Sequence, residues 1–98
     1  MIHLLVVDRD GAGLDAPPSF EVLRARTGDE AVEKLARNRR IDAVLFADDV
    51  AARETIELLD RDGSGSPPLF RAGPSGIEGV TGLDPDDLFR ELSDRLGE

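Results

Sequence analysis

Asp42-Ala43-Val44-Leu45-Phe46-Ala47-Asp48-Asp49 decides the fold. An unbroken apolar run of this length, closed by carboxylates, reads as a strand covered on both faces that delivers its acids to one edge of a sheet. Ile2-His3-Leu4-Leu5-Val6-Val7-Asp8-Arg9-Asp10 repeats the pattern near the start of the chain. Residues 2–7 and 41–47 are therefore expected as central strands, with Asp8, Asp10, Asp48 and Asp49 following them.

The other elements follow from these two. Residues 19–25 alternate in polarity and suit a strand at a sheet edge. Thr27-Gly28-Asp29-Glu30 matches a capping box, with Ala31, Val32, Leu35 and Ala36 at helical spacing behind it, so a helix is expected at about 28–38. Val50, Ala51, Ile56, Leu58 and Leu59 mark a second helix at about 50–61, stopped by Asp62-Gly63-Ser64-Gly65-Ser66-Pro67-Pro68. Residues 69–72 read as a short strand, and Ile77 to Thr81 as a weaker one broken by Gly79. Asp84 reads as the N-cap of a last helix with Pro85 at its first position and Leu88, Phe89, Leu92 and Leu96 on one face. Strands alternating with helices imply an α/β sheet that is mainly parallel.

Two links lack a helix. Gly11 to Pro18 joins strands one and two, with Pro17-Pro18 hostile to a helix interior, and about Gly73 to Gly76 joins strands four and five. A helical crossover takes at least ~10–12 residues. Eight extended residues still reach ~26 Å, enough to run back along a short strand, so parallel pairing through a loop is expected, with a hairpin between strands four and five as the alternative.

Composition narrows the function. The 98 residues form one domain, residues 1–98, with a formal charge of −9 that disfavours nucleic acid and anionic membranes as partners. No apolar run approaches the ~20 residues of a membrane span, and the start lacks a basic flank and cleavage site, so a cytoplasmic protein is expected. Without cysteine and with one histidine, a metal would have to be a hard ion held by oxygen. Eleven arginines against one lysine, Lys34, and thirteen aspartates against eight glutamates resemble proteins of salt-loving archaea, although a GC-rich genome also favours arginine. Molar salt shrinks the Debye length to ~3 Å and screens the self-repulsion of such a chain.

From Leu4 to Leu96 the chain resembles a response-regulator receiver domain, the phosphorylatable module of two-component signalling. The resemblance rests on Leu5-Val6-Val7-Asp8, Phe20-Glu21-Val22-Leu23 with Thr27 to Val32, Asp42-Ala43-Val44-Leu45 and Asp84 to Leu88. It implies a single-domain, flavodoxin-like doubly wound fold with strand order 2-1-3-4-5. About three helices would remain, the family's first and fourth being missing or reduced. In such sheets ligands sit at the topological switch point, here between the carboxyl ends of strands one and three.

The family's chemistry is altered almost everywhere. Asp8 matches the first metal-binding acid, but Arg9 takes the second's place, with Asp10 one position later. Ala47 stands where the phosphoacceptor is expected, and Asp48 fills that role only if the strand holds an extra residue; as a bland alternative, Asp48 caps the following helix. Gly73 falls near the family's Ser/Thr position and Thr81 aligns with its lysine. Because phosphoryl transfer depends on positioning and charge neutralisation, a nucleophile displaced by ~1 Å costs ~10²-fold. The resemblance therefore implies a shortened pseudo-receiver acting by protein contact, not an enzyme. Two alternatives remain: a working phosphoacceptor using Asp48 with Mg²⁺ on Asp8, Asp10 and Asp48, or a small-ligand module using a crevice lined by Arg9, Ala47, Asp49, Gly73 and Thr81. Arg9 among the acids would be a fixed cation in place of the metal.

Other motifs carry less. Gly11-Ala12-Gly13-Leu14-Asp15-Ala16 matches G-x-G-x-x-A, but Pro17-Pro18 blocks the helix that dinucleotide binding requires. His3 reads as a packed or edge imidazole, and Arg37, Arg39 and Arg40 as cations complementing a helix C-terminus. Surface left bare by the missing helices is expected to support self-association or a protein partner. Loss of the folded state in low salt, followed by circular dichroism, is the expected outcome for a salt-adapted chain; a fold indifferent to salt points to genome composition alone.

Overall fold

The computed structural model describes residues 2–9, 17–38, 40–62 and 67–96. Its elements are β1 (Ile2–Val7), β2 (Phe20–Ala25), α1 (Gly28–Arg37), β3 (Ala43–Phe46), α2 (Asp49–Asp62), β4 (Leu69–Ala72), β5 (Val80–Leu83) and α3 (Leu88–Leu96). The five strands form one sheet, β2-β1-β3-β4-β5, and every neighbouring pair is parallel. The expected doubly wound α/β architecture with three helices is therefore present, and β4 and β5 are joined by a loop crossover, not a hairpin.

Strand alternation divides the core in two. Ile2, Leu4 and Val6 of β1 with Ala43 and Leu45 of β3 face α3, where Leu88 and Leu92 are buried against them. Leu5, Val7, Val44 and Phe46 face the other way, toward Ala31 of α1 and Ala51 and Ala52 of α2. The small side chains of α2 let it lie close on the sheet. On the α3 side, Phe20 and Phe89 meet edge to face with centroids 5.2 Å apart, which extends a single helix's cover to the outer strand.

Local chemistry sets the helix ends. Thr27 is extended and its hydroxyl accepts from the Glu30 amide at 3.2 Å, while the Glu30 carboxylate accepts from the Arg26 amide at 3.1 Å, one residue before the usual capping-box partner. Asn38 ends α1, with both its amide and its side chain donating to the Lys34 carbonyl. Thr55, fully buried in α2, satisfies its hydroxyl on the Ala51 carbonyl at 2.9 Å.

Two elements start three residues later than the sequence expectation, and β3 is trimmed to Ala43–Phe46. The last helix begins at Leu88, not at Pro85, because the Asp84 carboxylate captures the amide of Asp86 two residues on and the Asp87 amide bonds to the Asp84 carbonyl; Asp84 to Asp87 is a turn. Glu91 then reaches back to the Asp84 amide at 2.8 Å. The fifth strand is Val80–Leu83, not Ile77 to Thr81. The Val80 amide bonds to the Ile77 carbonyl and Gly79 has φ +86°, so Ile77 to Gly79 forms a turn ahead of the strand.

The link between β4 and β5 packs down onto the sheet's end. Gly73 has φ +102°, and its amide donates to the Leu83 carbonyl at 2.7 Å. Gly82 lies beneath it: a Cβ there would stand 2.7 Å from the Gly73 oxygen and 2.8 Å from the Ser75 nitrogen. Val80 is buried and Ile77 half-buried, and among the described residues Val50 is the exposed large hydrophobic. The sheet beside β4 and β5, whose link holds no helix, is thus covered by this loop. Residues 10–16, in the link between β1 and β2, lie outside the described residues.

Gly82→Ala is expected to destabilise the protein by about 1–3 kcal/mol, because the methyl group meets backbone that has no free rotamer to move aside. Urea denaturation checks this, with Thr81→Ala as the exposed-neighbour control. Leu92→Ala on the α3 face should cost about 2–5 kcal/mol in the same assay.

Candidate functional site

The carboxyl ends of β1, β3 and β4 bring together the residues on which chemistry was expected. Ladder bonds continue past the strands here: the Asp8 amide donates to the Ala25 carbonyl at 2.9 Å and the Ala47 amide to the Val7 carbonyl at 3.1 Å. Asp8 and Ala47 therefore stand side by side at the switch point, with Ala47 half-buried. Asp48 and Asp49 lead directly into α2, and Gly73 follows β4.

Each acid after β3 has a structural engagement. Asp48 Oδ1 accepts from the Ala51 amide at 2.8 Å, the geometry of a helix N-cap. Asp49, the first residue of α2, places Oδ1 2.9 Å from Nε of Arg71. Arg71 pairs in register with Phe46 and is 19% exposed, and its Nη1 donates to the Pro74 carbonyl. The Nε–H does not aim at the carboxylate, so both atoms are buried without a hydrogen bond and the contact is ionic. Asp49 Oδ2 faces Gly76, 3.6 Å from where a Cβ would stand.

Arg9 turns away from these aspartates. Its Nη2 lies 3.0 Å from Glu54 Oε2, an exposed pair, while Glu54 Oε1 accepts from the Gly28 amide at 3.1 Å. One carboxylate thus ties α2 both to the segment after β1 and to the positive N-terminus of α1. Gly28 permits that approach, since a Cβ would meet Glu54 Cγ at 2.7 Å and the Thr55 nitrogen at 3.0 Å. The expected fixed cation among the acids is therefore Arg71 on Asp49, in place of Arg9.

Thr81 is exposed in β5 opposite Phe70, two residues short of that strand's carboxyl end, and does not join the cluster. Asp10 and the G-x-G-x-x-A segment at 11–16 lie outside the described residues, as does Arg39. Among the described residues no three acidic or histidine side chains gather as metal ligands, and two of the acids at the switch point are committed to a cap and to an arginine. That arrangement does not fit a Mg²⁺ centre built from described residues.

A second polar feature lies at the opposite, amino edge of the sheet. His3 Nε2 is 3.0 Å from Glu21 Oε2, Nδ1 is 3.7 Å from Asp42 Oδ2, and the His3 amide donates to the same Asp42 oxygen at 2.9 Å. A groove of about 510 Å³ adjoins it, floored by Leu23 and Ile41 and edged by Arg37 and Arg40. Arg37 is held by Glu33 one turn earlier, at 2.8 Å, as expected of a cation in a helix's last turn.

Glu54 and Arg71 were not singled out by sequence. Arg71 carried a signal, being the charged residue in the otherwise apolar strand Leu69–Ala72. Glu54 carried none, because an acid on an amphipathic helix reads as solvated surface.

Asp48→Ala is expected to cost about 1 kcal/mol through loss of the α2 cap, and Asp48→Asn only a few tenths, measured by chemical denaturation. No protein-family model, curated protein or solved structure matches this chain, so its function is read from these residues and their geometry.

Proposed function

We propose that this chain is a pseudo-receiver: a receiver-like module, its phosphorylation chemistry impaired, that acts in cytoplasmic signalling or regulation by protein contact and not by catalysis. The observation that carries this reading is the use of the acids at the switch point. Ala47 occupies the end of β3, Asp48 caps α2 and Asp49 is paired with Arg71. A phosphoacceptor must keep a carboxylate oxygen in line with the donor and a metal beside it. Here the carboxylate charge that would attract the metal is already engaged by backbone amide and guanidinium.

The doubly wound sheet supports the family reading, since its strand order 2-1-3-4-5 is the one the resemblance implies. The charge of −9 supports a protein partner over nucleic acid, and among the described residues no helix is long and apolar enough to cross a membrane. Val50, 58% exposed beside Asp49, offers an apolar contact at this end of the molecule.

The test is intact mass after incubation with Mg²⁺ and acetyl phosphate, for the unsubstituted chain and for Asp48→Ala, in low and in molar salt. The expected result is no added phosphoryl group in any arm. A phosphoryl group gained by the unsubstituted chain and lost in Asp48→Ala would replace this reading with an active phosphoacceptor.

A further inference from the structure

We infer that Asp49 and Arg71 form an ionic latch that straps the β4–β5 loop over the carboxyl edge of the sheet and that the fold is able to release.

Arg71 makes polar contact with the loop and with α2 at once. Its Nε lies against Asp49 at the start of α2, and its Nη1 holds the Pro74 carbonyl in the loop. Ile77 also packs against the core, and the loop's other hydrogen bonds include the Gly73 amide to the Leu83 carbonyl at 2.7 Å, the Ile77 amide to the Ser75 hydroxyl at 3.2 Å, and the Val80 amide to the Ile77 carbonyl at 3.2 Å. Each of those bonds stays within the loop and β5. The guanidinium is therefore a tie from the loop to the rest of the crevice: Nη1 donates to the Pro74 carbonyl while the charge on the Nε side faces Asp49, an arrangement that a lysine's compact ammonium does not reproduce.

The same geometry argues that the tie opens. Asp49 Oδ1 and Arg71 Nε are buried, and neither has a hydrogen bond. Buried polar atoms left in that condition carry a desolvation cost that water would relieve on opening. Coulomb attraction across 2.9 Å holds the closed state against that cost. Gly73 and Gly79 hold positive φ, which leaves the loop's two ends conformationally permissive, and a bare Gly82 makes room for the closed loop. Release would uncover the half-buried Ile77, which packs against the core cluster that holds Val80, Ala51 and Ala52. The latch acts whether or not Asp48 accepts a phosphoryl group, so its test reads backbone exchange and not mass.

The experiment is amide hydrogen exchange on the unsubstituted chain, Asp49→Asn, Arg71→Gln and Arg71→Lys. In Asp49→Asn and Arg71→Gln the Gly73, Ile77 and Val80 amides are expected to exchange at least ~10-fold faster, while the β1 and β3 ladder amides keep their rates. Arg71→Lys should recover only part of the protection. Loop amides as protected as in the unsubstituted chain, or loop and ladder amides accelerating together, would overturn the latch. Should the variants fail to fold, the unsubstituted chain decides: in native-state exchange at rising sub-denaturing urea, the Gly73, Ile77 and Val80 amides are expected to exchange at least ~10-fold faster than the β1 and β3 ladder amides and with weaker dependence on urea. Loop amides that exchange only together with the ladders would overturn the latch.

Discussion

Burial of β1 and β3 on both faces is the constraint on which the structure depends. Leu4, Leu5, Val7, Ala43, Val44, Leu45 and Phe46 have no exposed surface, so apart from His3 near the start of β1 the central strands carry no polar side chain. Polar chemistry is thereby confined to the strand ends, where chain direction reverses and backbone groups need partners. Parallel pairing requires each connection to run back along the sheet, and these connections supply the layers that keep the two strands dry.

The chain meets that requirement with three helices. One side is closed by α1 and α2, which approach closely because Gly28, Ala51 and Ala52 are small. The other described cover is α3, whose Phe89 extends across to Phe20 of the edge strand. Where a fourth helix would lie, the loop after β4 folds onto Gly82 with backbone atoms too close to admit a side chain. A glycine in a strand ordinarily weakens it. Here it allows seven residues to replace a helical crossover.

Charge is redistributed to match. The acids that end the central strands serve as cap and ion-pair partner, and Glu54 binds the N-terminus of α1 and Arg9 together. Guanidinium suits this role because it can donate to a carbonyl while its delocalised charge faces a carboxylate, as Arg71 does. An acidic chain rich in arginine thus spends much of its described basic charge on internal ties, including the Arg37–Glu33 and Arg61–Glu57 pairs on the helices. Exposed pairs of that kind contribute little each, so the half-buried Asp49–Arg71 contact is the one with structural leverage.

Most of the architecture was legible in the residues. The strands at 2–7 and 69–72, the helix opened by Thr27, and the strand order implied by the resemblance all agree with the fold, because apolar periodicity and capping chemistry act within a few residues. The misplaced boundaries at β5 and α3 lie where a turn residue competes with the element beside it: Gly79 at one, the Asp84 carboxylate at the other. The site was half legible. Ala47 at the strand end and Asp48 as a cap follow from local sequence, whereas the pairing of Asp49 with Arg71, and of Glu54 with Gly28 and Arg9, joins residues far apart in the chain. What the sequence determined alone was the set of elements and which faces they bury, since those depend on neighbours three or four positions away. Only the tertiary structure decided which charges meet, because that depends on strand order, register and the path of a short loop, none of which a local pattern encodes.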